Sequence, residues 1–192
     1  NPLILGLTAS PSARKSRIDE ICEKLAISNV ETRTETDADV TAYVKEVSLN
    51  WIRVPLPPRY KQISKVLRSA LDERVGKLRL MRQLPSGVPV SKRILLELGE
   101  KLRDRIKKGG PGMLYGAVVL QAQAMSLMHS IEMLETQGVH GLNRSLARLS
   151  VADSKSARGL SKDPRVLEAQ KLSHSLADSD HPKLKRLREL VV

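Results

Sequence analysis

The sequence predicts a mainly α protein: a helical bundle-like domain with a small α/β portion at its N-terminal end. Three observations carry this. Apolar residues recur at helical spacing over most of the chain after Pro58, short apolar runs of strand type are confined to residues before it, and Pro57-Pro58 separates the two regimes. The length of 192 residues allows a packed core without covalent staples. The lone Cys22 cannot close an internal disulfide, and no cysteine cluster suggests zinc.

In the first region Leu3 to Leu7 reads as a short buried strand ended by Ser10-Pro11. A helix follows from about Ser12 to Leu25, through Ile18, Ile21, Cys22 and Leu25. Val30 to Thr34 and Val47 to Val54 read as strands, with Trp51 expected to pack in a core. After Pro58 a long helix carries the stripe Tyr60, Ile63, Leu67, Ala70, Leu71, Leu78 and Met81, broken by Leu84-Pro85-Ser86-Gly87. Ser91 is placed to cap a second helix with Leu95, Leu98, Leu102 and Ile106 on one face, ended by the hinge-like Gly109-Gly110-Pro111-Gly112.

A third helix, about Leu114 to Gln137, has two apolar stripes and is therefore expected to be the most buried element, with Gly138 as its stop. A shorter helix from Leu142 to Leu149 leads into an expected polar loop, Ser150 to Lys162. Asp163-Pro164 starts another helix through Val166, Ala169, Leu172 and Leu176, and His181-Pro182 starts the last, with Leu184, Leu187 and Val191.

The net charge of +12 is unevenly placed. Residues 1–56 hold 7 Lys+Arg and 8 Asp+Glu, residues 57–110 hold 15 and 5, and residues 111–192 hold 11 and 8. An excess of +10 within 54 residues points to a polyanionic partner, nucleic acid in the simplest case. On the first long helix Lys61, Lys65, Arg68 and Arg79 fall in one narrow arc away from the apolar stripe. Arg93, Arg103 and Lys107 do the same on the second, where Glu100 and Asp104 dilute them. Such rows neutralise phosphates without reading sequence. The four aromatic residues, none of them Phe, are dispersed, which favours gripping of the backbone over base stacking.

Other chemistries find little support. His129 and Glu132 form a single reversed copy of the Glu-x-x-His pattern that di-metal bundles use in pairs, so they read as packing residues. Gly109-Gly110-Pro111-Gly112 is not followed by the Lys-Ser/Thr of a phosphate loop. No nucleophile stands beside a recognisable base. The run Pro2 to Leu7 lacks the basic flank and length of a signal sequence, and no apolar stretch reaches the roughly 20 residues of a membrane span. A protein of a reducing compartment without a membrane partner is expected, cytoplasmic and nucleoid-associated.

Leu3-Ile4-Leu5-Gly6-Leu7-Thr8-Ala9-Ser10-Pro11 resembles the strand and motif III turn of superfamily 2 helicases. With Asp37-Ala38-Asp39-Val40, Tyr43-Val44, the specific stretch Ala124 to Gly138 and His181-Pro182-Lys183-Leu184, the whole chain is similar to archaeal Hef and Fanconi anaemia M-type helicases, and more distantly to RIG-I-like RNA sensors. The resemblance implies that residues 1–56 are the end of the first RecA-like domain and residues 57–192 a thumb-like helical insert that engages forked or branched DNA. Thr8, Ala9 and Ser10 would then couple the ATP site to the nucleic-acid site of an intact parent.

The two RecA-like domains of that parent are the implied protein partners, and ATP with Mg its implied cofactors. No catalytic residue, cofactor or metal is expected in this chain, because the Walker lysine loop, the acidic box and the second-domain arginines have no counterpart. The parent is expected to be an ATP hydrolase, with a separate nuclease domain left open. The alternatives are an insert that senses double-stranded RNA and a helical scaffold or dimerisation module.

Overall fold

The computed structural model describes residues 3–10, 12–45, 47–176 and 180–191; Pro2 and Pro11 of the N-terminal motif lie outside them. Within these residues the helices are α1 (Lys15–Lys24), α2 (Ala38–Thr41), α3 (Pro58–Leu80), α4 (Lys92–Lys107), α5 (Met113–Val151), α6 (Lys155–Ser161), α7 (Pro164–His174) and α8 (Pro182–Val191). The chain divides into two units, Asn1–Trp51 and Ile52–Val192.

The first unit corrects the expected α/β portion. It holds α1 and the single turn α2, and no strand forms among the described residues. A strand exists only when its amides and carbonyls pair with a neighbour, and the apolar runs Leu3 to Leu7, Val30 to Thr34 and Val47 onward have no such neighbour. Their side chains stay in solvent: Leu3 is 99% exposed and Trp51 87%. Trp51 is therefore not a core residue. Local polar bonds shape the unit instead. The Thr34 amide donates to Asp37 Oδ2 at 2.5 Å, and Arg33 Nε donates to Asp39 Oδ2 at 2.9 Å.

In the second unit the apolar spacing dictates the packing. Pro58 begins α3 at a position where no amide is needed. Tyr60, Ile63, Leu67, Ala70 and Leu78 are buried along one face, as the stripe predicts. The start of α3 packs with Leu134, Val139 and Leu142, and with Leu160, Val166 and Ala169 of α6 and α7. Its end packs with Leu95, Leu98 and Leu102 of α4 and Leu114 and Ala117 of α5. The first part of α5 thus runs antiparallel to α3, and α5 as a whole forms the centre, touching α3, α4, α6 and α7. Each fully buried Leu contributes about 1.5–3 kcal/mol.

Gly138 breaks α5 with φ 82° and ψ −164°, a conformation reserved for glycine. The break is a fold-back. Ser130 and Ser145 would stand roughly 22 Å apart on a straight helix, yet their hydroxyls meet at 3.0 Å in the interior. The expected stop at Gly138 and the separate helix after it are both realised in this bend. His181 and Tyr60 fill the space beside it, their rings edge to face with centroids 5.9 Å apart.

Caps fall where the sequence places them. Ser91 Oγ accepts from the Ile94 amide at 3.3 Å, and Asp163 Oδ1 from the Arg165 amide at 2.9 Å. The expected loop Ser150 to Lys162 is corrected, because it contains α6. Ser154 caps that helix at the Ala157 amide, 3.2 Å, and Ala157 and Leu160 are buried. Two apolar residues three apart suffice for one turn against a core but leave little periodic signal. The face of α8 with Leu184, Leu187 and Val191 is exposed, and α8 makes no contact with another helix among the described residues.

Candidate nucleic-acid interface

The cations proposed from sequence separate into two sets. On α3, Lys61, Lys65 and Arg68 line one cleft of about 390 Å³ together with Leu56, Ser64, Ser69, Asp72 and Glu135. The apolar stripe of α3 faces the core, so the opposite side of the helix is turned to solvent, and all three cations are exposed. Lys61 and Lys65 make no ion pair among the described residues, so their ammonium groups are available to an anion.

Arg68 is held differently. Its Nη2 donates to Glu135 Oε1 at 2.8 Å and its Nε to Ser64 Oγ at 3.2 Å, while the Ser64 hydroxyl donates to the same Glu135 oxygen at 2.9 Å. Sequence reasoning missed Ser64 and Glu135. Ser64 stands one turn from Arg68, but the link to Glu135 spans 67 positions, a distance at which local spacing is silent. The pair leaves a fork of guanidinium donors at the cleft but offsets part of its charge.

Arg79 does not join this face as a free cation. Its Nη2 donates to the Val88 carbonyl at 2.7 Å and its Nε to the Pro85 carbonyl at 3.3 Å, so it closes the α3–α4 loop. Arg93 is exposed beside Glu97 at 3.6 Å, one turn on. Arg103 and Lys107 are exposed near the end of α4 without an ion pair among the described residues.

Two further charges have structural uses. Arg74, part of the basic excess, is buried against Asp163 at 2.5 Å. Lys92 donates to Glu132 Oε2 at 2.7 Å, tying α4 to α5 and lowering the Glu132 carboxyl through that bond. Glu132 lies 3.9 Å from His129 Nδ1, but its carboxylate is taken by Lys92. Among the described residues no group of three His, Cys, Asp or Glu side chains is arranged to hold a metal ion. Gly112 leads into Met113 rather than a lysine, so this turn does not fit the phosphates of ATP.

Thr8, Ala9 and Ser10 lie exposed in the first unit, where the Ser10 amide donates to Thr8 Oγ1 at 3.2 Å. Among the described residues no helix is long and apolar enough to cross a membrane.

Comparison with known proteins agrees with the helical architecture. The protein "Putative ATP-dependent RNA helicase MJ1505" of Methanocaldococcus jannaschii is 37% identical over 98% of this chain, which spans 24% of that protein. Two eukaryotic relatives match over the same 98%: "DEAD-box ATP-dependent RNA helicase FANCM" of Arabidopsis thaliana at 29% identity and "ATP-dependent DNA helicase mph1" of Neurospora crassa at 26%. The chain spans 14% and 17% of their lengths. The crystal structure of the Pyrococcus furiosus Hef helicase domain superposes with a TM-score of 0.67 at 33% identity, covering 100% of this chain and 41% of that one.

The chain thus spans about a quarter or less of the curated relatives it matches. Residues 59–178 match the family described as "Putative ATP-dependent RNA helicase, helical bundle". With most of α3 and all of α4 to α7 inside that match, the chain belongs to this helical-bundle family of helicases.

Proposed function

We propose that the chain is the structure-recognising insert of an ATP-dependent superfamily 2 helicase and grips forked or branched DNA through the α3 face. The observation that carries this is the cleft in which Lys61 and Lys65 stand exposed and unpaired one turn apart, with Arg68 beside them. Cations so placed neutralise successive phosphates and release counterions, and they read shape rather than sequence. The Neurospora relative is named a DNA helicase, which supports the choice of DNA.

In the longer enzyme, ATP with Mg and the two RecA-like domains are the proposed cofactors and partners, and Thr8 to Ser10 the proposed coupling segment. The proline entry at Pro57 is the proposed pivot on which the bundle follows the core domains.

The names of two relatives as RNA helicases favour a second reading, an insert for duplex RNA. The 2′-hydroxyl separates the two. Fluorescence anisotropy with a forked DNA, a linear DNA duplex and an RNA duplex of equal length is the test. Tightest binding to the fork, lost in Lys61→Glu/Lys65→Glu, is expected. Preference for the RNA duplex, or binding that ignores the charge reversal, contradicts the proposal.

A further inference from the structure

Two ion pairs bring cations of different helices to one patch of α5. Arg68 of α3 bonds Glu135 at 2.8 Å, and Lys92 of α4 bonds Glu132 at 2.7 Å. Residues three apart on a helix are surface neighbours, with Cβ atoms roughly 5–6 Å apart. Glu132 and Glu135 therefore stand side by side, and the two cationic heads lie against them. All four side chains reach solvent: Arg68 is 56% exposed, Lys92 and Glu132 48% each, and Glu135 32%.

These ties are weak ones. Ion pairs this open to water contribute little to stability, and the buried Leu95, Leu98 and Leu102 already seat α4. What the pairs do change is the charge on offer. In the α3 cleft Lys61, Lys65 and Arg68 share the lining with Glu135 and Asp72, so the free site is far less positive than a count along α3 implies. Beside it the charge of Lys92 is offset by Glu132.

A carboxylate presents oxygens to guanidinium and ammonium donors much as a phosphate does. We propose that Glu132 and Glu135 are internal stand-ins for phosphate: they occupy Lys92 and Arg68 in the free chain and give them up when nucleic acid binds. The interface then runs from the α3 cleft across α5 to the start of α4. A tethered carboxylate yields to a phosphate only when neighbouring phosphates are held at the same time, and the unpaired Lys61 and Lys65 supply that hold. The proposal rests on the nucleic-acid reading above. It adds Lys92, which the row of Arg93, Arg103 and Lys107 leaves out, and gives a use to two acids set among the cations.

The test is fluorescence anisotropy of the 192-residue chain with forked DNA over a series of salt concentrations. Lys92→Ala/Glu132→Gln removes one cation and one anion, so the net charge is unchanged. Its slope of log affinity against log salt is expected to be shallower by roughly 0.9, the share of one lost phosphate contact. Glu132→Gln/Glu135→Gln frees both cations and removes neither, and is expected to tighten fork binding roughly fivefold. Asp153→Asn/Glu168→Gln, two exposed acids outside the patch, is expected to change it by less than about twofold at about 0.15 M salt, where distant charges are screened.

A slope and affinity of Lys92→Ala/Glu132→Gln equal to the wild type's would show that Lys92 only balances Glu132, and overturn the exchange. Unchanged or weaker binding by Glu132→Gln/Glu135→Gln would make the carboxylates no competitors of phosphate, and an equal gain from Asp153→Asn/Glu168→Gln would reduce the effect to net charge; each overturns it as well. If Lys61→Glu/Lys65→Glu still abolishes binding in those cases, the gripping face stands without the exchange, whereas a wild-type chain that binds no fork overturns both.

Discussion

Arg74 and Asp163 meet in the interior at 2.5 Å, their side chains 9% and 4% exposed. They join the middle of α3 to the start of α7, and Arg165 brackets the pair by bonding both Asp163 and Glu73. Because Asp163 also caps α7, one carboxylate satisfies a buried guanidinium and a helix end at once. Asp163→Ala removes the most buried carboxylate beside Arg74, which keeps Glu73 at 3.2 Å, and uncaps α7; it is expected to cost about 3 kcal/mol, read from urea denaturation. Asp163→Asn keeps one acceptor oxygen where Oδ1 takes the Arg165 amide and Oδ2 takes Arg74, so it serves the cap or Arg74 but not both, and is expected to cost less than Asp163→Ala. Arg74→Met/Asp163→Asn should lose less than the two single changes added together.

The same cluster sets an acid limit on the fold. Burial works to raise the Asp163 carboxyl, but bonds from Arg165 and Arg74 outweigh it and hold it at about 2, below its ordinary 3.8. Bonds from Lys77 and Arg165 hold Glu73 at about 2, below 4.5. Both folded values lie below the unfolded ones, so this stabilisation is complete above about pH 4.5 and is lost as pH falls toward 2.

His181 adds an earlier step. Its burial, and then the charge of Lys183, push it below its ordinary 6.5, so its contribution fades as pH drops beneath that value. Urea midpoints from pH 8 to 2 are expected to show both declines. His181→Ala should remove the upper one and leave the lower.

Gly138 is the residue on which the bend of α5 depends. At φ 82° and ψ −164° an alanine is strained, and its methyl group would lie 3.0 Å from His181 Cδ2 and 3.4 Å from the Tyr60 hydroxyl. Gly138→Ala is expected to destabilise the bundle by about 1–3 kcal/mol from backbone strain alone. Adding His181→Ala should recover the part due to crowding but not the strain, a coupling that a double-mutant cycle measures.

What the sequence reveals follows from how local each cause is. The stripes of α3, α4 and α5 and the caps at Ser91 and Asp163 depend on neighbours within one or two turns, and they stand where expected. The bend at Gly138 was legible for the same reason. The strands were not, because Leu3 to Leu7 has the composition of a strand but no ladder to join. Helix α6 escaped because Ala157 and Leu160 gain their burial by packing on α5, where Gln123 bonds the Ser156 carbonyl across 33 positions.

The candidate site shows the same division. The arc of Lys61, Lys65 and Arg68 is a property of one helix and is realised as one exposed face. That Arg79 is engaged by the carbonyls of Pro85 and Val88, and that Arg74 is buried, depends on loop and tertiary contacts that charge counting treats as free cations.

The salt dependence of fork binding by the wild type and by Lys61→Ala/Lys65→Ala tests the gripping face most directly. Each phosphate contact contributes about 0.9 to the slope of log affinity against log salt. If both lysines hold phosphates, the double variant should show a slope shallower by roughly 2 units, with weaker binding at low salt. An unchanged slope would show that neither lysine meets a phosphate and would contradict the assignment of this face to DNA.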